Sequence, residues 1–481
     1  MITPATTIKA LQTALAEKKI SPQEVISFYH KRLVEHNNTL NCAIEIFDES
    51  ALLAQNLEQG PLFGIPGLLK GNICQKGRTT CAGSKLLRNY VAPYSATIAT
   101  NLRQAGGICI GRANQDEFAM GSSGEYSSYG PTKNPWSLDH VPGGSSSGSA
   151  ASVAAGLVPW AIGTETGGSV RQPASFCNLV GLYPTYGRFS RSGIIALCSS
   201  TDQPGPLTRT VEDNAIVASA MSGFDPSDAT SLQEPQQDFT KNLTGKLPQG
   251  LRVGVLKDAL ESDGVDDEVK RVFREAIFSL EKMGARIEYV TLPNLKYGIS
   301  IYFILNRAEA ASNLSRFDGS LYGMRAEECE NLREMYIRSR HDGFGPEVQR
   351  RIMMGNYVLS AGHRDAYYAQ ANHVRDMIRT EYEQAFKHID VLISPTASTL
   401  PFPQGQADAD PLAMYMADYF TVPNCITGLP VIAIPAGFAS NGLPVGFQFM
   451  GPRLSEGLLY QIAHAYEQEH DHHTKMPQQF S

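Results

Sequence analysis

The sequence lacks the patterns that would place it in a membrane or in an oxidising compartment. No apolar run among its 481 residues reaches the ~18 residues that a spanning helix needs. The N-terminal stretch, MITPATTIKALQTALAEKK, has no apolar core of the kind that signal peptides carry. No C-x-x-C pair occurs among its cysteines, which are Cys42, Cys74, Cys81, Cys109, Cys177, Cys198, Cys329 and Cys425. Unpatterned cysteines in a long chain indicate buried thiols in a reducing compartment, so we expect a cytoplasmic protein.

A concentration of positive charge is also missing. The chain has 41 Lys and Arg against 48 Asp and Glu, which gives a formal net charge of −7 at pH 7. Non-specific binding of nucleic acid depends on basic side chains that neutralise phosphates. We therefore expect that this chain does not hold nucleic acid alone, and that a partner would have to do so.

The order of apolar runs predicts an α/β fold. Residues 1–58 are predicted to be helical, and Ser21-Pro-Gln-Glu24 is a capping box at the start of one helix. Further along, a helical stretch at 266–284 lies among runs that are typical of strands, at 251–256, 287–291, 389–394 and 429–434. Strands that alternate with helices indicate a sheet covered on both faces.

Two clusters of glycine and serine carry the candidate chemistry. The first is Pro142–Ser149, with the sequence PGGSSSGS, and the second is Thr164–Pro173, with the sequence TETGGSVRQP. Small residues expose backbone N–H groups that stabilise an oxyanion, and they leave room for a carbonyl beside a hydroxyl. Neither cluster has the lysine of a phosphate-binding loop, and the G-x-S-x-G elbow is missing around Ser169. Two Gly-rich turns without chemistry remain the alternative.

A serine nucleophile needs a base, and the sequence offers a lysine in that role. The only histidine near the clusters is His140, in the turn-like segment LDHVP. Lys70 ends the strand-like run GIPGLLK, which would carry its amine into the core. Burial lowers a lysine pKa from ~10.4 by up to ~3–5 units, which would make the amine neutral near pH 7.

Residues 64–215 resemble the amidase signature family. The resemblance is carried by Lys70-x-Asn72, by GGSS in the first cluster and by GGSVRQP in the second, in that order. It implies a Ser–Ser–Lys triad, in which Lys70 is the base, Ser145 is a bridging serine on a cis peptide bond, and Ser169 is the nucleophile.

The resemblance also implies a fold and a division of the chain. We expect the amidase signature fold, an α/β architecture with a large mixed central sheet covered by helices on both faces. Residues 1–481 would form a single domain. It would comprise an N-terminal helical part at 1–58, the signature region at 64–215, and the rest of the sheet with the substrate pocket at 250–481.

The implied reaction is the hydrolysis of an amide. Ser145 would relay the proton of Ser169 to Lys70 while Ser169 attacks the carbonyl carbon, and water would later hydrolyse the acyl-enzyme. Backbone N–H groups around Thr166, Gly167 and Gly168 are the predicted oxyanion hole. No metal or organic cofactor is implied for this chain.

Within the family, the likeness is to the A subunits of glutamyl-tRNA(Gln)/aspartyl-tRNA(Asn) amidotransferases. The phrases that carry it lie at 114–121, 130–136, 316–319, 350–355 and 414–418. The likeness implies that glutamine is the substrate and that Tyr302, Arg351 and Asp418 bind it. An arginine fork suits a carboxylate and an aspartate suits an ammonium group.

The same likeness implies partners. A tRNA-binding B subunit would use ATP and Mg to activate the tRNA-linked carboxylate, and a small C subunit would complete the complex. The chain would meet tRNA only through that partner, and no membrane is involved. Two alternatives stay open, namely a stand-alone amidase that acts on another amide and a non-catalytic scaffold subunit.

Three positions depart from the family pattern. Gly71 stands where an aspartate usually follows the lysine, Ser147 stands where glycine is frequent, and Tyr183 stands where Lys or Arg is common. None of them removes a member of the triad, but Gly71 deprives Lys70 of a neighbouring carboxylate.

Overall fold

The computed structural model describes residues 2–406 and 411–481, without the side chains of residues 411–413. The strands in this part of the chain are β1 (Ala43–Ile46), β2 (Pro66–Lys70), β3 (Ile108–Ala113), β4 (Trp160–Glu165), β5 (Val180–Tyr183), β6 (Gln203–Thr208), β7 (Arg252–Leu256), β8 (Arg286–Val290), β9 (Val391–Pro395), β10 (Val431–Phe438) and β11 (Pro444–Met450).

Helices occupy the segments before, between and after the strands. They are α1 (Ile8–Ala16), α2 (Pro22–Leu40), α3 (Glu49–Leu53), α4 (Thr97–Gln104), α5 (Ser147–Ala154), α6 (Arg171–Phe176), α7 (Val211–Met221), α8 (Asp258–Glu261), α9 (Asp267–Lys282), α10 (Gly298–Asn313), α11 (Leu332–Gly343), α12 (Pro346–Leu359), α13 (Gln370–Ala385), α14 (Pro411–Met416), α15 (Val422–Thr427) and α16 (Glu456–Gln468).

The strands form one mixed sheet in the order β1-β3-β2-β4-β6-β5-β10-β11-β9-β7-β8. Strand β2 runs parallel to both β3 and β4, and β7 runs parallel to β8 and β9. The central strands β4, β6, β5, β10 and β11 pair antiparallel with their neighbours in turn. The predicted mixed α/β sheet is therefore confirmed.

Burial shows that the sheet is covered on both sides. Every residue of β2, β4, β5, β6 and β9 is buried, although successive side chains of a strand point to opposite faces. Of the edge strands, β8 is largely exposed, whereas β1 has one buried residue and three partly buried ones. Apolar side chains from residue 8 to residue 480 join in one large core around this sheet.

The predicted elements agree with the structure, with one correction. The capping box is present, because Ser21 Oγ accepts from Glu24 N at 3.2 Å and Glu24 Oε2 accepts from Ser21 N at 2.7 Å. The prediction that residues 1–58 are wholly helical is wrong, because Ala43–Ile46 forms β1. This short segment becomes a strand by pairing antiparallel with β3, a distant contact that local periodicity does not encode.

The sheet brings both Gly/Ser clusters to the end of β2. Since β2 and β4 are parallel neighbours, Lys70 at the end of β2 and Glu165 at the end of β4 reach the same edge of the sheet. Gly67 permits this pairing, because a Cβ there would lie 2.2 Å from the ring of Trp160. The second cluster follows β4 directly, and the first leads into α5.

The structure also bears on the expectations about cysteines, membrane-spanning helices and metal sites. All eight cysteines are free thiols, and six of them are buried as predicted, whereas Cys109 and Cys329 are partly exposed. In the described ranges, no helix is both long enough and apolar enough to cross a bilayer, and no group of three His, Cys, Asp or Glu side chains could hold a metal ion. The single-domain division of the chain stays a prediction.

Candidate active site

The amine of Lys70 lies in a fully buried site among oxygen atoms of both clusters. Its Nζ donates to Ser145 Oγ at 2.8 Å, to Ser146 Oγ at 2.9 Å and to the carbonyl of Thr164 at 3.0 Å. Burial lowers the pKa of Lys70 from its ordinary 10.5 to about 7. Near pH 7 a large fraction of the amine is therefore neutral and able to accept a proton.

Carboxylates near Lys70 oppose this shift. Asp116, Asp202 and Glu165, in that order of effect, favour the charged amine and keep the pKa of Lys70 from falling further. A Cβ at Gly71 would lie 3.2 Å from Ile44 Cδ1 and 3.3 Å from the carbonyl of Ala113, so this position has little room for a larger side chain.

Ser145 follows a cis peptide bond, Gly144–Ser145, as the resemblance implies. The bond packs against the buried carboxylate of Asp116, whose Oδ2 would lie 2.1 Å from a Cβ on Gly144. Asp116 accepts from the N–H groups of Gly124 at 3.1 Å and Tyr126 at 3.0 Å. Sequence reasoning missed this role of Asp116, although the residue lies in one of the phrases that carry the resemblance.

Ser169 lies in the turn after β4, with 7% of its surface exposed. Its carbonyl accepts from Ser146 N at 3.2 Å, which links the two clusters. Its hydroxyl makes no hydrogen bond to any residue in the described part of the chain. The structure therefore joins Lys70 to Ser145 directly, whereas the Ser145–Ser169 hydroxyl contact is open, as catalytic hydrogen bonds often are before substrate binds.

The turn that precedes Ser169 presents free backbone donors. Thr421 Oγ1 donates to the carbonyl of Gly167 at 2.7 Å, and the N–H of Gln172 donates to the carbonyl of Gly168 at 2.8 Å. The N–H groups of Gly167 and Gly168 find no acceptor among residues 2–406 and 411–481. The turn is thus fixed through its carbonyls and leaves its donors for a ligand.

Thr166 is held at the start of the same turn. Its hydroxyl donates to Asp202 Oδ1 at 2.7 Å, and Asp202 Oδ2 accepts from the N–H groups of Leu197 and Cys198. Burial raises the pKa of Asp202 to about 6, so this carboxylate remains largely ionised at neutral pH.

A buried ion pair closes the turn on its far side. Glu165 accepts from the N–H groups of Val170 and Arg171 at 3.0 Å each, and from Arg171 Nε at 2.7 Å. The guanidinium of Arg171 also donates to the carbonyl of Thr421 at 2.7 Å and to Gln448 Oε1 at 2.6 Å. Sequence reasoning missed this positioning pair, because a spacing of six residues across a turn matches neither helix nor strand periodicity.

The predicted glutamine-binding residues converge on the turn. A Cβ on Gly167 would lie 2.6 Å from Tyr302 Oη, and one on Gly168 would lie 3.0 Å from Asp418 Oδ1. Tyr302 and Asp418 therefore flank the two glycines that precede Ser169. Arg351 lies within electrostatic reach of both, because its charge acts on the pKa of Tyr302 and on that of Asp418.

All three of these side chains are already engaged by neighbours. Asn306 Nδ2 donates to Tyr302 Oη at 3.4 Å. Arg351 Nε donates to Glu347 Oε1 at 2.7 Å, and Ser122 Oγ donates to Asp418 Oδ2 at 2.6 Å. Asp418 Oδ1 is buried and has no donor within the described residues. Burial raises the pKa of Asp418 to about 7, so an ammonium group at Oδ1 would stabilise its ionised form.

The other departures from the family pattern have ordinary packing partners. Ser147 donates to Thr132 Oγ1 at 3.2 Å. The buried hydroxyl of Tyr183 donates to the carbonyl of Thr201 at 2.8 Å, and its ring lies 5.4 Å from the guanidinium of Arg171. Neither residue contacts Lys70, Ser145 or Ser169 through a hydrogen bond.

Comparison with known proteins places this site in a family. Residues 24–460 match the family model described as Amidase. The chain is 47% identical over 472 residues to the A subunit of glutamyl-tRNA(Gln) amidotransferase from Halothermothrix orenii, and this match covers 98% of each chain. A crystal structure of the Thermotoga maritima protein of the same name is 38% identical, with a TM-score of 0.82 and coverage of 97% of this chain and 95% of that one.

A solved structure with another activity is also similar. The native peptide amidase from Stenotrophomonas maltophilia is 30% identical, with a TM-score of 0.80 and coverage of 96% of each chain. The long family match and the near-complete coverage of these relatives agree with the site geometry. The chain belongs to the Amidase family.

Proposed function

We propose that this chain is the glutaminase subunit of a tRNA-dependent amidotransferase. It hydrolyses glutamine through Lys70, Ser145 and Ser169 and supplies ammonia for the amidation of misacylated Glu-tRNA(Gln), with Asp-tRNA(Asn) as a second acceptor. The observation that carries the proposal is the convergence of Tyr302 and Asp418 on the turn before Ser169, beside the buried Lys70–Ser145 contact.

Proton transfer uses the Lys70–Ser145 hydrogen bond and a Ser145–Ser169 hydrogen bond that forms when substrate binds. Neutral Lys70 accepts the proton of Ser145, which takes the proton of Ser169 as the Ser169 oxygen attacks the side-chain carboxamide of glutamine. The proton then returns to the leaving nitrogen and ammonia departs. Water attacks the acyl-enzyme along the same relay and releases glutamate.

The backbone N–H groups of the turn before Ser169 stabilise the oxyanion that develops in the transition state. The N–H groups of Gly167 and Gly168 carry the role assigned to them from sequence, and the side chain of Thr166 anchors the start of the turn on Asp202. Removing one such donor from an oxyanion hole typically costs about 10²–10³ in rate. The turn is therefore the part of the site that most directly stabilises charge in the transition state.

Substrate selection rests on charge complementarity. Asp418 Oδ1 takes the ammonium group of the amino acid, Arg351 takes its carboxylate, and Tyr302 borders the side chain next to Gly167. A free amino acid is a zwitterion, so a site with one fixed cation and one carboxylate favours it over simple neutral amides.

The remaining steps belong to partners in the cytoplasm. A tRNA-binding B subunit uses ATP and Mg to activate the carboxylate on the tRNA, so that the overall reaction forms a carbon–nitrogen bond as a ligase does. A small C subunit joins the two larger chains. The relatives named as A subunits of amidotransferases support this assembly.

One observation favours a second candidate. The similarity to a peptide amidase shows that this fold also suits enzymes acting on other amides, so a stand-alone amidase is the competing function. A scaffold without activity fits less well, because Lys70, Ser145 and Ser169 are all present and the first two are in contact.

The variant Ser169→Ala tests the nucleophile. We expect it to abolish release of ammonia from glutamine and to leave the thermal unfolding curve unchanged, because it removes one hydroxyl that has no hydrogen bond among the described residues. Ser152→Ala is the matched control, since this serine on α5 donates only to the carbonyl of Ser149 and should leave activity unchanged. Near-native release of ammonia by Ser169→Ala would show that another group is the nucleophile.

A further inference from the structure

Arg307 on α10 is a buried cation whose donors bond no acceptor among the residues that the structure describes. Its side chain is 2% exposed, and it makes no hydrogen bond and no ion pair with any residue that the structure describes. Its Nε and Nη1 are buried without an acceptor. Buried charges are normally paired, since an unpaired one loses its hydration without compensation. No carboxylate among the described residues is therefore in hydrogen-bond or ion-pair contact with Arg307.

The contacts that Arg307 does make leave its N–H groups free. Its guanidinium stacks over the ring of Phe303, 3.9 Å from the centroid, and lies 5.4 Å from the ring of Tyr415. Stacking engages the face of the guanidinium, whereas its donors point outward in the plane. The stack fixes the orientation of the guanidinium, and its Nε and Nη1 donors have no acceptor among the described residues.

The carboxylate nearest to this region is already in use. Glu347 accepts from Arg351 Nε at 2.7 Å and from the hydroxyl of Tyr415 at 3.1 Å, and it also pairs with Arg350. Burial, followed by the charge of Arg351, lowers the pKa of Arg307 to about 10, so it stays protonated at neutral pH. Glu347 binds Arg351 directly, whereas it acts on Arg307 only through its charge and without a hydrogen bond.

The helices place Arg307 at the substrate pocket. Tyr302, which borders Gly167, lies five residues earlier on α10. Tyr415, whose ring lies 5.4 Å from the Arg307 guanidinium, donates to the same Glu347 oxygen that Arg351 binds. Gly355 allows α12 to approach α10 closely, because a Cβ there would lie 1.9 Å from the carbonyl of Arg307. Arg351 lies one turn before Gly355, so the close approach brings its turn of α12 near Arg307.

We propose that Arg307 is a second carboxylate-binding residue of this pocket and that, with Arg351, it holds the α-carboxylate of the substrate. This inference rests on the proposed function, because it assumes an amino-acid amide as the substrate. A bound carboxylate offers two oxygens with four lone-pair sites, which is enough for one fork from each arginine. The pocket therefore selects substrates with a free carboxylate more strongly than a single arginine would.

The test compares Arg307→Met with the unaltered full-length chain. Methionine keeps much of the volume and removes the charge. The KM for glutamine should rise about ten-fold or more, the size expected for a charge-assisted hydrogen bond. The kcat/KM for glutaminamide, which has no carboxylate, should change much less. The melting temperature should stay the same or rise, because no native partner is lost.

Two controls separate binding from structure. Arg209→Met removes another buried arginine, one that donates to the carbonyl of His473 at 3.1 Å, and it should lower the melting temperature without changing the KM for glutamine. Arg351→Met should raise the KM for glutamine as Arg307→Met does. Arg307→Lys keeps the charge without the fork and should give an intermediate KM.

The outcomes distinguish this inference from the proposed function. If Arg351→Met raises the KM for glutamine and Arg307→Met does not, or if Arg307→Met lowers the melting temperature as much as Arg209→Met does, Arg307 is not a substrate ligand and the proposed function stands. If the unaltered chain releases no ammonia from glutamine, both fail.

Discussion

At the scale of single residues, burial determines what each ionisable group can do. Lys70 is surrounded by protein and its pKa falls to about 7, whereas burial raises the pKa of Asp418 to about 7. The same physical cause, loss of hydration, moves the two groups in opposite directions because it always disfavours the charged form. The proposed reaction needs Lys70 neutral and Asp418 ionised, and both forms predominate above pH 7.

This coincidence predicts a steep acid limb in the pH profile. As pH falls through about 7, Lys70 gains a proton and stops acting as a base, and Asp418 gains one and stops binding the ammonium group. The kcat/KM for glutamine should therefore fall with a slope approaching two protons. A small neutral amide does not need Asp418, so its profile should fall with a slope of one. Profiles measured between about pH 5.5 and about pH 8.5 check this, and equal slopes for the two substrates would contradict the role of Asp418.

At the scale of elements, the site is built on the turn between β4 and α6, and the buried Glu165–Arg171 ion pair holds this turn in place. Strand β4 ends at Glu165, α6 begins at Arg171, and the turn between them carries the free donors and Ser169. The pair fixes both ends of the turn, and Arg171 also ties it to Thr421 and Gln448. The geometry of the oxyanion hole therefore depends on an interaction that takes no part in the chemistry.

The variant Glu165→Gln tests this dependence. It leaves the charge of Arg171 buried without its counter-charge, so the free energy of unfolding should fall by about 3–5 kcal/mol. The double variant Glu165→Gln/Arg171→Met should recover much of that stability. It should still hydrolyse glutamine poorly, because no ion pair then holds the turn that carries Ser169. Urea unfolding and ammonia release measure the two effects.

A surface ion pair provides the matched control for that prediction. Arg252 and Asp390 are 2.6 Å apart, with about a third of each side chain exposed. Because water screens this pair, Asp390→Asn should cost less than about 1 kcal/mol and should leave activity unchanged. If Glu165→Gln cost no more than this surface variant, the buried pair would not be the clamp of the turn.

Sequence reasoning recovered the elements whose signals are local. The end of β2 at Lys70 and the capping box at Ser21 were both predictable, because apolar runs and cap residues are encoded within a few positions. The order of motifs then predicted the triad through the family resemblance, and the structure brings Lys70 and Ser145 into contact. The strand at Ala43–Ile46 was not predictable, since it exists only through its pairing with β3.

The contacts that hold the site residues in place could not be predicted from local sequence patterns, because they join residues that are far apart in the sequence. Glu165 binds Cys425 and Arg171 binds Gln448, residues more than 250 positions away along the chain. The isolation of Arg307 is equally invisible in sequence, because it is defined by the partners that the fold fails to bring near it. A pattern can suggest which residues react, whereas the dielectric around them is a property of the assembled core.

At the scale of the whole molecule, charge separates the two halves of the proposed reaction. The chain carries a net charge of −7, so its surface as a whole repels the phosphates of tRNA. The ammonia produced at Ser169 must nevertheless reach a tRNA-linked carboxylate. Ammonia that escapes into water near pH 7 is mostly converted to ammonium, which has no lone pair with which to attack. These facts favour a partner that binds tRNA and receives ammonia directly.

The last prediction follows from this separation. Expressed with its proposed B and C partners, the chain should co-purify with them as a stable complex that binds tRNA. Purified alone, it should show weak glutaminase activity and negligible affinity for tRNA at physiological salt. A titration of tRNA at several salt concentrations measures this, because phosphate contacts weaken steeply as salt increases. Sub-micromolar binding by the isolated chain, or full activity of the monomer on unrelated amides, would favour the stand-alone amidase instead.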